Sequence, residues 1–174
     1  MPQLAVAPPL PNTDPPAFDA LYRENASDVY AYVMTLLRDR ATAEDVTMAA
    51  FERAFRRRRT FDRQRGSERA WLFTIARNAA LDELRKRKRV ASLAGEVADE
   101  TAAPLDERDP IQRAAVRAAL AGLEPREREL VSLKFVAGLS NAEIAEVIGT
   151  SPTNAGTRLH RVVVKLREAC HAPE

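Results

Sequence analysis

Cysteine is nearly missing from this chain of 174 residues. Cys170 stands alone, so no internal disulfide can form, and a reducing compartment fits. Histidine is almost as scarce, with only His160 and His171. Cys170 and His171 make a two-ligand fragment near the chain end, so no metal is expected. The 6 glycines form no Walker or dinucleotide-type phosphate loop. No nucleophile stands in a recognisable pattern with a base, and the acids are scattered along helix faces and one linker. An enzyme, a cofactor and a small-molecule substrate are therefore not expected. No apolar run approaches the roughly 20 residues of a membrane span. The N-terminus lacks the basic-then-apolar order of a signal peptide, so the expected location is cytoplasmic. Useful β-alternation is missing too, and the expected fold is all-α, two small helical domains on an acidic flexible linker.

What is present is organised around Gly138–Arg167, which reads as two short helices joined by a tight turn. Ser140 and Glu143 have capping-box spacing. Ile144, Val147 and Ile148 form one apolar stripe. Gly149 stands where the first helix must stop and turn. Ser151 and Pro152 suit the cap and first position of the second helix. Ala155, Leu159, Val162, Val163 and Leu166 line its inner face. A small Ala145, a turn glycine and an inward Ala155 have the spacing of a helix-turn-helix. Thr153, Asn154, Thr157, Arg158 and Arg161 are left pointing outward, where they can meet base edges and phosphates in a major groove. An ordinary helical hairpin with a solvated polar face is the competing reading.

Net charge is only +2, but the charges are segregated along the chain. Residues 1–16 hold six of the 11 prolines and read as a disordered leader. A helical pattern then runs from Phe18 to Arg38 through Leu21, Tyr22, Val29, Val33, Leu36 and Leu37. Thr42 and Asp45 look like the cap and partner of a second helix with Val46, Ala50, Phe51, Ala54 and Phe55 at helical spacing. From Phe51 to Gly66 there are seven arginines against two acids. A loop over 60–67 leads into a long helix starting near Glu68. Trp71, Leu72, Ile75, Ala76 and Ala79 face inward there, Arg77, Asn78, Asp82, Arg85 and Lys86 elsewhere, and Arg85–Arg89 ends it in a basic run. Such clusters attract phosphates. A solvated charged face would look the same.

Val90 to Asp109 reverses the sign, with six acids against Arg108 alone. This stretch reads as a linker. The expected domains are 17–90 and 110–172, with 91–109 between them. Asp109 and Pro110 open the second domain, followed by Ile111, Ala115, Ala119 and Leu123. Another helix starts at Pro125, shows Leu130 and Val131, and closes at Gly138.

The order AEDV…AAFERAF, RGSERAWLFTIARNAALDELRKRKR, an acidic linker, and LEPRERELVSLKFVAGLSNAEIAEVIGTS…RLHR resembles the sigma-70 family of bacterial RNA polymerase initiation factors, in its extracytoplasmic-function (ECF) group. The resemblance covers about residues 17–170. It implies a factor that directs core polymerase to promoters, recognises −10 and −35 elements and helps melt the duplex. It places Asp45, Met48, Phe51 and Phe55 against the clamp helices of the β′ subunit, and the C-terminal domain near the β flap. Arg77, Asn78, Arg85, Lys86 and Arg89 would face the −10 element, where unstacked bases need a pocket and cations along the backbone. Thr153, Asn154, Thr157, Arg158 and Arg161 would read the −35 element. The acidic linker would enter the RNA channel, and an anti-sigma factor is an implied partner.

The chain departs from the family's usual residues at Met48 and Ala49, commonly Gln and Glu, which suggests a more apolar docking surface. Glu68 replaces a frequent aromatic. Gly156 replaces a frequent Lys or Arg and removes a reader. The rival readings are a stand-alone helix-turn-helix regulator, which leaves the N-terminal basic segment without a role, and a sigma-like protein that titrates an anti-sigma factor.

Overall fold

The computed structural model describes residues 15–94 and 110–171 of the protein. These residues form helices, with no strand among them. The expected leader up to residue 14, the linker from residue 95 and the Asp109 cap lie outside the described residues.

Helix α1 (Pro15–Leu37) begins two residues inside the expected leader. Prolines are tolerated there, because the first turn of a helix has no use for its N–H groups. The helix ends at Arg38, whose φ of 54° is left-handed, with the Arg38 N–H on Met34 O at 2.9 Å. Helix α2 (Arg40–Arg57) is capped by Asp39, not by the expected Thr42. The Asp39 carboxylate accepts from the Thr42 N–H at 3.0 Å and from the Thr42 hydroxyl. Thr42 is thus the donor inside the first turn. Asp39 takes the cap because the reversal at Arg38 leaves it extended.

A short 3₁₀ turn (Arg58–Thr60) and a loop lead to helix α3 (Glu68–Ala94). The Ser67 hydroxyl accepts from the Ala70 N–H at 3.0 Å and starts that helix. It continues five residues past Arg89, since no glycine or proline interrupts it before Gly95. The first three helices pack around Val29, Tyr32, Val33, Ala50, Ala54, Leu72, Phe73 and Ala76. Phe73 and Ala80 are buried although the periodicity of α3 leaves them off the expected inner face. The reason is that α3 is covered on more than one side, by α1, α2 and α6.

The C-terminal part holds α4 (Pro110–Ala121), α5 (Pro125–Val131), a π-helical turn (Ser132–Val136), α6 (Asn141–Ile148) and α7 (Pro152–His171). The Glu127 carboxylate accepts from the Glu124 N–H at 2.9 Å and opens α5. The π turn closes with the Ala137 N–H on Ser132 O at 2.9 Å, and Gly138 at φ 65° then redirects the chain. Leu130, Leu133, Leu139, Ile144, Ala155 and Leu159 fill this half of the core. One hydrophobic cluster runs from Leu21 to Leu159 without a break, so the two expected domains share a packed boundary.

Candidate nucleic-acid interface

The helix-turn-helix has the local geometry its sequence implies. The Ser140 hydroxyl accepts from the Glu143 N–H at 3.2 Å, and the Glu143 carboxylate accepts from the Ser140 N–H at 2.8 Å. Gly149 takes φ 70° and ψ 48°, and the Thr150 N–H reaches Ala145 O at 2.9 Å. A residue with a Cβ resists that left-handed conformation. The Ser151 hydroxyl accepts from the Asn154 N–H at 3.2 Å and caps α7. Ala145 and Ala155, 2% and 1% exposed, lie where the two helices meet.

With those residues inward, Thr153, Asn154, Thr157, Arg158 and Arg161 are all exposed on α7. The Asn154 amide donates to the Thr150 hydroxyl at 2.9 Å, and the Thr157 hydroxyl donates to Thr153 O at 2.9 Å. The face therefore offers hydrogen-bonding groups and two guanidinium groups along one helix. Gly156 lies at the α6–α7 crossing. A Cβ there would come 3.0 Å from the Asn141 amide nitrogen. The position is pressed against α6, which qualifies its expected role as an open reading site.

On α3, Asn78, Arg85, Lys86 and Arg89 are exposed. Arg85 is held by Asp82 at 2.9 Å. Arg87 is tied instead to Asp39 at 3.0 Å, so it braces the α2 cap. Arg77 does not face open solvent. Its Nε donates to Glu129 Oε1 at 2.6 Å and its Nη2 to Glu129 Oε2 at 3.4 Å. Glu129 is a buried acid of α5, and the Tyr32 hydroxyl donates to the same Oε1 at 3.0 Å. The expected placement of Arg77 on a free DNA-facing surface is thus corrected: α5 covers it. Burial pulls the Arg77 value down, but hydrogen bonding and charge from Glu129 more than offset it and leave it raised. Burial first, then the Glu129 charge, pushes the Tyr32 hydroxyl well above the usual tyrosine range.

The loop before α3 is also engaged. The Ser67 hydroxyl donates to Glu143 Oε1 at 2.6 Å. The carboxylate tip of the exposed Glu146 side chain, carried by α6, lies over Gly66. Arg69 bonds Ala137 O through Nε at 3.1 Å and Nη2 at 2.6 Å, and it reaches Asp28 at 2.6 Å and the Asn25 amide oxygen. The sequence reading missed Tyr32, Arg69 and Glu129. Glu129 carried no signal of its own, because it closes the charged run Arg126-Glu127-Arg128.

On α2, Met48 is 60% exposed and Asp45 is exposed. Phe55 is 39% exposed, with the Arg58 guanidinium 3.9 Å above its ring and Phe18 edge-on at 5.1 Å. Phe51 differs. It is 3% exposed and packs edge-on against Tyr22 at 4.8 Å. Its expected contact with a partner protein is corrected, because the side chain points into the core. Among the described residues no group of His, Cys, Asp and Glu could hold a metal ion, and no helix is long and apolar enough to cross a membrane.

Comparison with known proteins agrees with this layout. The family model for sigma-70 region 2 matches residues 21–90, and that for sigma-70 region 4 matches residues 113–166. The chain is 38% identical over 157 residues to the RNA polymerase sigma factor CarQ of Myxococcus xanthus, covering 87% of this chain and 88% of the relative. It is 37% identical over 152 residues to the ECF RNA polymerase sigma factor BldN of Streptomyces coelicolor, covering 84% of this chain but 58% of that longer protein. In fold it is similar to the sigma factor RpoE of Bartonella quintana, solved with the anti-sigma factor NepR. That match has a TM-score of 0.75 at 23% identity and covers 91% of this chain and 99% of the other.

Proposed function

The chain belongs to the sigma-70 family of RNA polymerase sigma factors, in its ECF group, and from that premise we propose that it carries core polymerase to promoters by reading two elements with its two halves. Helix α7 reads the −35 element in the major groove through Thr153, Asn154, Thr157, Arg158 and Arg161. The 61–67 loop and α3, with Asn78, Arg85, Lys86 and Arg89, engage the −10 element and its displaced strand. Sigma factors perform no chemistry of their own, so the work is positional. Two modules on one chain raise each other's effective concentration at a promoter.

The observation that carries this reading is the exposed α7 face on a fully capped helix-turn-helix. On the polymerase side, Asp45, Met48 and Phe55 form the face offered to the β′ clamp helices, and Met48 makes its centre apolar. The C-terminal half is assigned to the β flap. An anti-sigma protein is a further proposed partner, since RpoE, whose fold this chain shares, was solved holding one.

Run-off transcription with purified core polymerase on genomic DNA tests the proposal. Promoter-specific transcripts are the expected result. Sequence-specific duplex binding by the chain alone, with no transcripts on adding polymerase, would replace it with a stand-alone regulator. Neither activity, with tight binding to an anti-sigma protein, would replace it with titration.

A further inference from the structure

We propose that Asn141, the first residue of α6, makes a phosphate contact with the −35 element across Gly156, where α7 offers no side chain of its own. This role rests on the assignment of the −35 element to α7 and adds a residue to it.

The reading face of α7 has a gap on the side toward α6. Thr153, Gly156 and His160 follow one another three and four residues apart, so they share one flank of the helix. Thr153 and His160 are exposed. Gly156 lies between them with no side chain. The Asn141 amide occupies that gap: a Cβ on Gly156 would come 3.0 Å from its nitrogen and 3.9 Å from its carbon. The amide therefore reaches the α7 surface from a neighbouring helix, beside the side chains assigned to DNA. A side chain at position 156 would push it aside, so its placement depends on the glycine.

The amide also has its donors to spare. Asn154 gives its amide to the Thr150 hydroxyl at 2.9 Å, and Thr157 gives its hydroxyl to Thr153 O at 2.9 Å. Asn141 is exposed, and among the described residues its amide has no hydrogen-bond partner. An asparagine amide carries two N–H donors, and a phosphate oxygen is a charged acceptor that strengthens such a bond. The first helix of a helix-turn-helix crosses the DNA backbone while the second lies in the groove. A donor at the start of α6 therefore meets phosphate before it meets a base edge. Being uncharged, it adds affinity without steepening the salt dependence, as a lysine or arginine would.

The test uses the full chain with purified core polymerase, and duplexes selected from a library randomised at the −35 position. Asn141→Ala is expected to weaken binding about tenfold on every selected duplex, with the preferred sequence and the salt slope unchanged. Gly156→Ala is expected to weaken it by about threefold, because the added methyl turns the amide away. The double variant should bind no more weakly than Asn141→Ala, since both changes remove one contact. Duplexes carrying a single neutral methylphosphonate then locate the partner. At one linkage this replacement is expected to weaken binding of the unaltered protein about tenfold and to cost Asn141→Ala nothing further. Unchanged affinity in Asn141→Ala would overturn the role. So would a preference lost at one base pair, which would make Asn141 a base reader. Equal penalties for both proteins at every linkage would overturn it too, by reducing Asn141 to a support of α6. Selection of no −35 sequence by the unaltered protein would instead bring down the assignment of α7 and this role with it, so the two failures are distinct.

Discussion

Met48 and Phe51 stand three residues apart on α2 and have opposite fates. The first is 60% exposed and the second is 3% exposed against Tyr22. Phe51→Ala is expected to destabilise the fold by about 3–5 kcal/mol, the usual cost of emptying a buried phenylalanine site. Met48→Ala should change stability by less than about 0.5 kcal/mol, as surface changes do, yet weaken binding to core polymerase. Chemical denaturation and a polymerase pull-down separate the two. On α7, Arg161→Ala is expected to cost about 1–3 kcal/mol of discrimination at one −35 position while leaving polymerase binding intact. Binding measured on promoter duplexes altered one base pair at a time checks it; weakened polymerase binding would contradict the role.

At the level of the helices, caps and crossings decide the outcome. Glu143 closes the α6 capping box and also holds Ser67. Burial pushes its carboxyl up, but the bonds from Ser67 and Ser140 outweigh this and hold it below the ordinary glutamate value of 4.5. A folded value lowered this way gives stability that is complete above the unfolded value and lost as pH falls through the folded one. The thermal midpoint is therefore expected to stay level near neutral pH and to drop below about pH 4.5, with a shallower drop in Glu143→Gln, measured by circular dichroism across pH. Gly156 weakens α7 by its backbone freedom. Gly156→Ala is expected to add about 0.5–1 kcal/mol, because the exposed Asn141 amide 3.0 Å away can turn aside. A raised melting temperature would bear this out, whereas a fall would mean the crossing needs the glycine.

Across the whole molecule, the helix-turn-helix, the long α3 and the all-α class were legible in the order of residues. Each depends on signals within a few positions: Ser140 with Glu143, Gly149 before Ser151 and Pro152, a run of helix formers after Ser67. The Asp39 cap was missed because it depends on the backbone reversal at Arg38, a non-glycine residue that gives no local warning. Phe73 escaped notice because a helix covered on several sides loses the one-face periodicity that marks burial. Arg77, Tyr32 and Glu129 were beyond reach for a different reason. Their meeting joins positions 97 and 52 residues apart, and no local pattern encodes such a distance.

By itself the sequence determined which segments become helices, which residues of α7 turn outward, and where opposite charges gather, since caps, periodicity and composition act over one or two turns. Only the tertiary structure decided that Phe51 points inward and that Glu129 claims Arg77. Those outcomes depend on which helix lies against which, and that is settled by the joint packing of apolar faces far apart in the chain.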